Sequence, residues 1–150
     1  MSPQRVWTAV LATLIVLALA MQVRGALFWS SLESTSNVRV SGATYVAYGV
    51  QGGIILLLGV LAMRGNRIAA SISEGLLVAL MVWHSRGSFK TAGHLRLGAP
   101  GEREIALWAL RSAFLYLVLA ASFASWLIAS LLRTRQGPTN PPFTSKPGTA

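Results

Sequence analysis

The chain has 150 residues, of which 53% are hydrophobic and only 11% charged, and its mean hydropathy is +0.56. About a quarter of the residues in an ordinary soluble domain are charged, so this composition excludes that class and indicates an integral membrane protein. The absence of cysteine excludes disulfides, thiolate metal sites, iron–sulfur clusters and cysteine nucleophiles. The net charge of +9 comes from bases that flank apolar stretches, which favours contact with anionic lipid headgroups over nucleic acid.

Four apolar stretches follow one another along the chain, and each predicts a spanning helix, because about 20 apolar residues cross the hydrocarbon layer. The predicted spans are residues 6–23, 44–63, 68–85 and 110–132, which make an all-α four-helix transmembrane domain within residues 1–132. All six prolines lie outside these spans, so nothing in them interrupts a helix. The sequence RGNR, residues 64–67, predicts a tight hairpin that makes spans 2 and 3 antiparallel neighbours.

The other connections are predicted to be longer. We expect the first loop at residues 24–43 and the third at residues 85–101, followed by GEREIALWALR as a short interfacial lead-in to span 4. Residues 133–150 are rich in Pro, Thr and Ser and predict a disordered tail. The first span has an alternative interpretation as a cleaved signal peptide, because a basic start and an apolar run precede the ALA at residues 18–20.

The sequence gives little information about which side of the bundle faces the cytoplasm, because Lys and Arg divide almost evenly between its two sides. We expect a multi-pass protein of the inner membrane with both termini cytoplasmic, since paired bases stand directly at span ends in RGNR and RTR. Amphipathic aromatic rings prefer the headgroup level and support the four spans. One group is expected near one membrane face and a second near the other: Trp29, Tyr45, Tyr48, Trp83, Trp108 and Tyr116, and Trp7 with Trp126.

Small residues recur at helical spacing in two of the spans. Gly49 and Gly53 form a G-x-x-x-G pair in span 2, and Ala121 and Ser125 belong to a small-residue ridge in span 4. Small side chains let helix backbones approach closely in lipid, where no hydrophobic effect drives helices together. Both patterns are typical of helix packing, and they fit a tight bundle and a homo-oligomer equally well.

Glu74 is the acidic residue within span 3. It lies seven residues beyond Arg67, or about 10 Å along a helix, which places it below the interface but short of the midplane. Removal from water favours the neutral form of a carboxyl. One hypothesis is a proton or cation site. The other is a structural acid that bonds to Ser71, Ser73 or a neighbouring helix, or that reaches towards the hairpin arginines.

Other polar residues suggest weaker candidates. Gln51 in span 2 predicts an interhelical hydrogen bond. His84, Arg86 and Arg111 are candidate contacts for an anion or a quinone headgroup, although anchoring at the lipid interface explains the arginines as well. His84 lies at a span end and His94 in a predicted loop, so neither a bis-histidine haem nor a metal site is expected, and no cofactor is predicted.

Residues 50–120 resemble the DoxX-like family of small four-helix membrane proteins. The resemblance is carried by VQGGIILLLGVLAMRGNRIAASISEGLLVALMVWH and by GEREIALWALRSAFLYLVLA. The positions that correspond to the family pattern are Gly53, Leu58, Gly59, Arg67, His84 and Glu104. The Gly- and Lys-bearing end of the first span and the Gly-rich ending of the fourth are missing. The resemblance implies a membrane partner of an oxidoreductase, and without cysteine only the accessory-subunit role carries over.

These observations predict a non-catalytic protein that works as an accessory or assembly subunit of a larger, possibly redox, membrane complex. The expected partners are the lipid bilayer and either another membrane protein or further copies of the chain, and no nucleic acid. An alternative is a small proton-coupled transporter that acts as a homo-oligomer with Glu74 as its proton or cation site. A third hypothesis is a redox subunit that binds quinone near His84 and Arg111.

Overall fold

The computed structural model describes residues 3–35, 39–64, 66–94 and 102–135. The described residues form four helices, α1 Pro3–Thr35, α2 Gly42–Arg64, α3 Arg67–His94 and α4 Glu102–Arg135. Each of the four is long and apolar enough to cross a membrane. The predicted all-α, four-helix membrane fold is therefore confirmed.

Three helices extend well beyond the predicted spans, so the predicted loops were too long. Residues 24–35 continue α1 and residues 85–94 continue α3. Residues 102–109 belong to α4 rather than to a separate lead-in, and α4 runs three residues into the predicted tail. An apolar run marks only the part of a helix that lies in hydrocarbon. The helix itself can continue into the polar flanks until a helix-breaking residue ends it. The remaining predicted tail, residues 136–150, lies outside the described residues.

Short polar side chains fix where α2 and α3 begin. The Ser41 hydroxyl accepts a hydrogen bond from the Ala43 backbone N–H at 3.3 Å, and the Ser41 carbonyl accepts one from Thr44 at 2.8 Å. The Asn66 side chain accepts from the Ala69 N–H at 2.8 Å. Both residues act as N-caps, which supply acceptors for backbone donors that the first helical turn leaves unpaired.

The helices surround one core in chain order. α1 packs on α2, α2 on α3 and α3 on α4, and α4 closes onto α1, with the most extensive packing between α3 and α4. All four helices supply the buried core cluster: Leu11, Ile15, Ala18, Ile55, Ala62, Leu77, Met81, Tyr116, Leu119, Ala120 and Phe123. The outer faces carry exposed apolar side chains, as expected of surfaces that meet lipid tails.

Two glycines let α1 and α2 approach closely. A side chain on Gly59 would meet the Ile15 side chain at 2.7 Å, and one on Gly25 would collide with the Tyr48 ring. A real Cβ is essentially never found that close to a neighbouring atom, so a larger residue at either position would force the Ile15 or Tyr48 side chain, or the two backbones, to shift. The close approach of α1 and α2 therefore depends on one glycine from each helix, Gly25 on α1 and Gly59 on α2.

Candidate functional site

Polar side chains gather at the two ends of the bundle. The hairpin end is the one where α2 ends at Arg64 and α3 begins at Arg67, together with the start of α1 and the end of α4. The loop end contains the opposite termini of the same helices. Glu74 lies towards the hairpin end and His84 towards the loop end, about 15 Å apart along α3 at 1.5 Å per residue. The apolar side chains of Leu77 and Met81 lie between them and are fully buried.

Glu74 is buried, with 4% of its surface exposed, and both of its carboxyl oxygens are hydrogen-bonded to α4. Trp126 Nε1 donates to Oε1 at 3.1 Å, and Ser130 Oγ lies 3.3 Å from Oε2. Of the partners considered from the sequence, the structure supplies a neighbouring helix, and among the hydrogen bonds of the described residues neither Ser71 nor Ser73 contacts the carboxyl. The carboxyl ties the hairpin-end part of α3 to the last turns of α4.

The hydroxyl of Ser130 is shared between two acceptors. Its Oγ donates to the Leu127 carbonyl at 2.9 Å in addition to its contact with Glu74. A hydroxyl has one proton and two acceptor lone pairs, so it donates well to one partner only. The contact of Ser130 with Glu74 Oε2 at 3.3 Å is therefore the weaker of its two hydrogen bonds.

Glu74 also faces a cavity of about 230 Å³ at the hairpin end, to which all four helices contribute. Trp126 forms part of the wall and packs against Trp7, with ring centroids 4.2 Å apart and a tilt of 49°. The remaining lining residues are Thr8, Leu11, Ala62, Met63 and Ser130. Trp126 therefore links α1 to the carboxyl of α3, and the two tryptophans predicted at this membrane face are in contact.

The loop end contains a second cavity of about 500 Å³, here called the His84 cavity. Aromatic rings form much of its wall, namely Trp29, Tyr48, Trp83, Trp108 and Tyr116. The polar residues Gln51, Ser88 and Thr91 line it beside His84. Five of the six aromatic residues that the sequence placed near one membrane face thus meet around a single space.

Ring stacking holds the walls of the His84 cavity in place. Phe28 stacks on Trp108 with centroids 4.3 Å apart and planes within 7°, and Trp29 meets Trp108 edge-on at 6.1 Å. His84 stacks on Tyr116 at 5.0 Å. Offset and edge-to-face contacts of this kind add stabilisation beyond burial and fix the planes of the rings. These contacts therefore fix the planes of the imidazole and of the indole.

Hydrogen bonds connect the same walls to α1. Gln22 Nε2 donates to the Tyr116 hydroxyl at 3.2 Å, and Trp29 Nε1 donates to the Tyr48 hydroxyl at 3.1 Å. Across the α3–α4 seam, Ser85 Oγ donates to the Ala113 carbonyl at 3.0 Å. These bonds join helices that lipid alone does not drive together.

Four buried polar atoms near the loop end have no hydrogen-bond partner among the described residues. They are Gln22 Oε1, His84 Nε2, Trp108 Nε1 and Ser112 Oγ. Trp108, Ser112 and Tyr116 are spaced four residues apart and therefore share one face of α4. Buried polar atoms are nearly always paired, so four exceptions at one end of a small bundle require an explanation.

The arginines considered together with His84 lie elsewhere. Arg86 and Arg111 are exposed, and neither lines the His84 cavity. Arg86 is two residues beyond His84, which turns it to a different side of α3. His94, which was predicted to lie in a loop, is the last residue of α3. The structure therefore separates the predicted anion or quinone contacts into one cavity residue and two residues exposed at the surface.

The G-x-x-x-G pair of α2 faces out of the bundle. Gly49 and Gly53 are exposed, and a side chain added at either would meet no atom within 4 Å. Ala121 and Ser125 of α4 are also exposed, and Ser125 lines an apolar groove of about 530 Å³ between α1 and α4. The small residues singled out from the sequence are thus not the ones that pack the helices of this chain together, a role that Gly25 and Gly59 fill.

Several important residues were missed from the sequence. The sequence placed Trp126 near a membrane face and did not single out Ser130, yet both side chains contact the Glu74 carboxyl. The spacing carries a weak signal, because residues four apart lie on one helix face. Nothing in the sequence alone assigns that face to Glu74. Within the described ranges, no three His, Asp or Glu side chains come together as a metal-ligand set.

Comparison with known proteins adds no family to these observations. No protein-family model, no curated protein and no solved structure matches the chain.

Proposed function

We propose that the protein is a non-catalytic accessory subunit that binds a transmembrane helix of another membrane protein through the outer face of α2. The observation that carries this proposal is the position of Gly49 and Gly53. The glycines that the bundle itself needs are Gly25 and Gly59, each packed against a side chain of the same chain. Gly49 and Gly53 have open space where a side chain would be, so the chain's own packing gives no reason for them.

The outer face of α2 has the shape that a second helix needs. Val46, Val50 and Leu57 are 65%, 56% and 60% exposed and flank the two glycines at helical spacing. Glycines at this spacing form a shallow groove between larger side chains, in which a partner backbone gains close van der Waals contact. Each glycine in a helix interior costs about 1 kcal/mol relative to alanine, so an open pair without a partner is a net loss.

The test is the native size of the complex in mild detergent. The double variant Gly49→Leu/Gly53→Leu fills the groove, and leucine is a better helix former than glycine, so the bundle itself should stay folded. We expect the wild-type chain to migrate with a partner and the double variant to migrate alone. Gly75→Leu is the matched control, because Gly75 on α3 also has open space at its Cβ and should leave the complex intact.

Two results would count against the proposal. A wild-type chain that migrates as a lone monomer contradicts it directly. If the double variant still forms the complex, the outer face of α2 is not part of the interface. If the complex contains only this chain and the double substitution disrupts it, the occupant of the α2 face is a second copy of the chain and not another protein.

A second candidate function is a small proton-coupled transporter, favoured by the position of Glu74 on the wall of the cavity at the hairpin end. A buried acid beside a space to which all four helices contribute is a suitable proton or cation site. The test is Glu74→Gln in proteoliposomes, measured as proton flux and substrate uptake. The amide keeps the two contacts to α4, so unchanged transport would exclude Glu74 as the site.

The proposed location is the inner membrane, with the hairpin end on the cytoplasmic side. Arg64 and Arg67 are both exposed at that end, and basic residues next to span ends favour the cytoplasmic side. A reporter fused after Ala150 should be active inside the cell, because α4 runs back to the hairpin end. Activity of that reporter only outside the cell would reverse the orientation.

A further inference from the structure

The groove between α1 and α4 opens on the outer surface of the bundle, towards the hairpin end. α1 packs less extensively on α4 than on α2, and the gap has a volume of about 530 Å³. None of the described residues that line it is charged. Larger apolar side chains form the α1 wall and small ones the α4 wall, namely Val6, Val10 and Leu14 opposite Ser122, Ser125 and Ala129.

Two polar groups on the α4 wall are already paired within the bundle. Ser122 Oγ donates to the Val118 carbonyl of its own helix at 2.8 Å. Trp126 also lines the groove, and its Nε1 donates to Glu74 at 3.1 Å. Neither group needs a partner inside the groove, so both side chains can meet hydrocarbon without the cost of an unpaired donor. The groove therefore suits an apolar occupant.

The length and direction of the groove fit a lipid chain better than a protein helix. Val6, Val10 and Leu14 are spaced four residues apart, so the groove runs along α1. These eight residues rise about 12 Å, close to the roughly 15 Å of hydrocarbon in one leaflet. A spanning helix crosses the full thickness of about 30 Å and would extend far beyond the groove. An acyl chain enters from the headgroup level and stays within one leaflet.

The charge at the mouth of the groove indicates which lipid is preferred. Arg5 is exposed and immediately precedes Val6 at the start of α1. Apart from buried Glu74, the acidic residues all lie at the opposite, loop end: Glu33, Glu102 and Glu104. No exposed acid among the described residues therefore offsets Arg5 at the hairpin end. A base in this position attracts a headgroup with a net negative charge.

We propose that the α1–α4 groove binds one anionic phospholipid, with an acyl chain along Val6, Val10 and Leu14 and the phosphate beside Arg5. Attraction of surface bases to anionic headgroups is general, whereas the groove adds a defined place for one chain. The site is independent of the proposed helix interface, because no residue of α2 lines the groove.

The experiment compares dioleoyl phosphatidylglycerol, which is anionic, with dioleoyl phosphatidylcholine, which has the same acyl chains and no net charge. Each lipid is titrated into the delipidated full-length protein in detergent, and native mass spectrometry measures the apparent Kd of the first bound lipid. We expect the anionic lipid to bind at least about fivefold more tightly, the factor that one basic residue near a membrane surface supports.

Two charge variants locate the headgroup. Arg5→Gln should weaken binding of phosphatidylglycerol about fivefold and leave binding of phosphatidylcholine unchanged. Arg67→Gln is the matched control, because Arg67 is also exposed at the hairpin end but begins α3, which does not line the groove. Its effect should stay within about twofold.

Two variants of α4 locate the acyl chain. Ser125→Phe fills the groove from an exposed position and should weaken binding of both lipids. Ala121→Phe is the matched control, since Ala121 lies one turn away and is also exposed but does not line the groove. It should leave the binding of both lipids unchanged.

Four results would overturn the proposal. Equal binding of the two lipids to the wild-type protein removes the headgroup preference. Equal weakening by Arg5→Gln and Arg67→Gln shows a general surface attraction and no site. Unchanged lipid binding in Ser125→Phe removes the chain from the groove. A wild-type dimer that Ser125→Phe separates shows that a second copy of the protein fills the groove instead.

Discussion

Replacement of Glu74 by leucine should loosen the packing of α4 on α3 without unfolding the protein. Leucine has a similar volume but accepts no hydrogen bond, so Trp126 Nε1 loses the carboxyl oxygen that it donates to at 3.1 Å. Ser130 loses less, because its hydroxyl keeps the Leu127 carbonyl at 2.9 Å. An interhelical hydrogen bond in a membrane contributes about 0.6 kcal/mol on average and about 1.7 at most.

The two contacts should therefore differ in a double-mutant cycle. The coupling between Glu74→Leu and Trp126→Phe should be about 0.6–1.7 kcal/mol, since phenylalanine keeps a ring against Trp7 while the N–H is lost. The coupling between Glu74→Leu and Ser130→Ala should be smaller than this. The assay is reversible unfolding in mixed micelles, followed by far-UV circular dichroism.

Glu74→Gln is the matched control for the carboxyl. Its amide oxygen accepts from Trp126, and its amide N–H₂ donates to Ser130 Oγ, so its stability should lie within about 0.5 kcal/mol of wild type, the range of an ordinary neutral substitution. A cycle with no coupling between positions 74 and 126, or a glutamine variant as unstable as the leucine variant, would refute the structural role given to these hydrogen bonds.

Two further substitutions test the packing and the caps. Gly59→Ala should destabilise the bundle by about 1–3 kcal/mol, because its Cβ would meet the Ile15 side chain at 2.7 Å. Gly53→Ala should be neutral or stabilising, because its Cβ meets no atom. The unfolding midpoints of the two variants are compared, and equal values would contradict the packing described. Asn66→Ala should cost about 1 kcal/mol of unfolding free energy through loss of the α3 cap, and Asn66→Asp should retain it; equal loss in both variants would contradict the capping role.

The fold was predictable because it depends on composition and length. Four apolar stretches and the hairpin at residues 64–67 were sufficient to predict four helices and the antiparallel pairing of α2 with α3. Helix ends were not predictable from hydropathy, since the last turns of α1 and α3 leave the apolar run and remain helical. Phe28 lies in the extended part of α1 and Ser85 at the end of the third predicted span, and their contacts with Trp108 and Ala113 depend on α4, which the local sequence does not encode.

The candidate sites were predictable only in part. Burial of Glu74 follows from its place in an apolar span, but its partners depend on the rotation of α4 about its axis, which no periodicity in the sequence fixes. The same rotation separates Arg111 from His84. The glycine pair was recognised as a packing motif, but spacing alone does not tell an inward from an outward face, and the structure assigns the inward role to Gly25 and Gly59.

The most direct test of the proposed accessory role is site-specific photo-crosslinking in native membranes. A benzophenone amino acid replaces Val50 on the outer face of α2 in one protein, and Val118 on the exposed face of α4 in another. We expect a discrete crosslinked protein band from position 50 that disappears in the Gly49→Leu/Gly53→Leu background, and no such band from position 118. The absence of any protein crosslink at position 50, or the same product from both positions, would contradict the account.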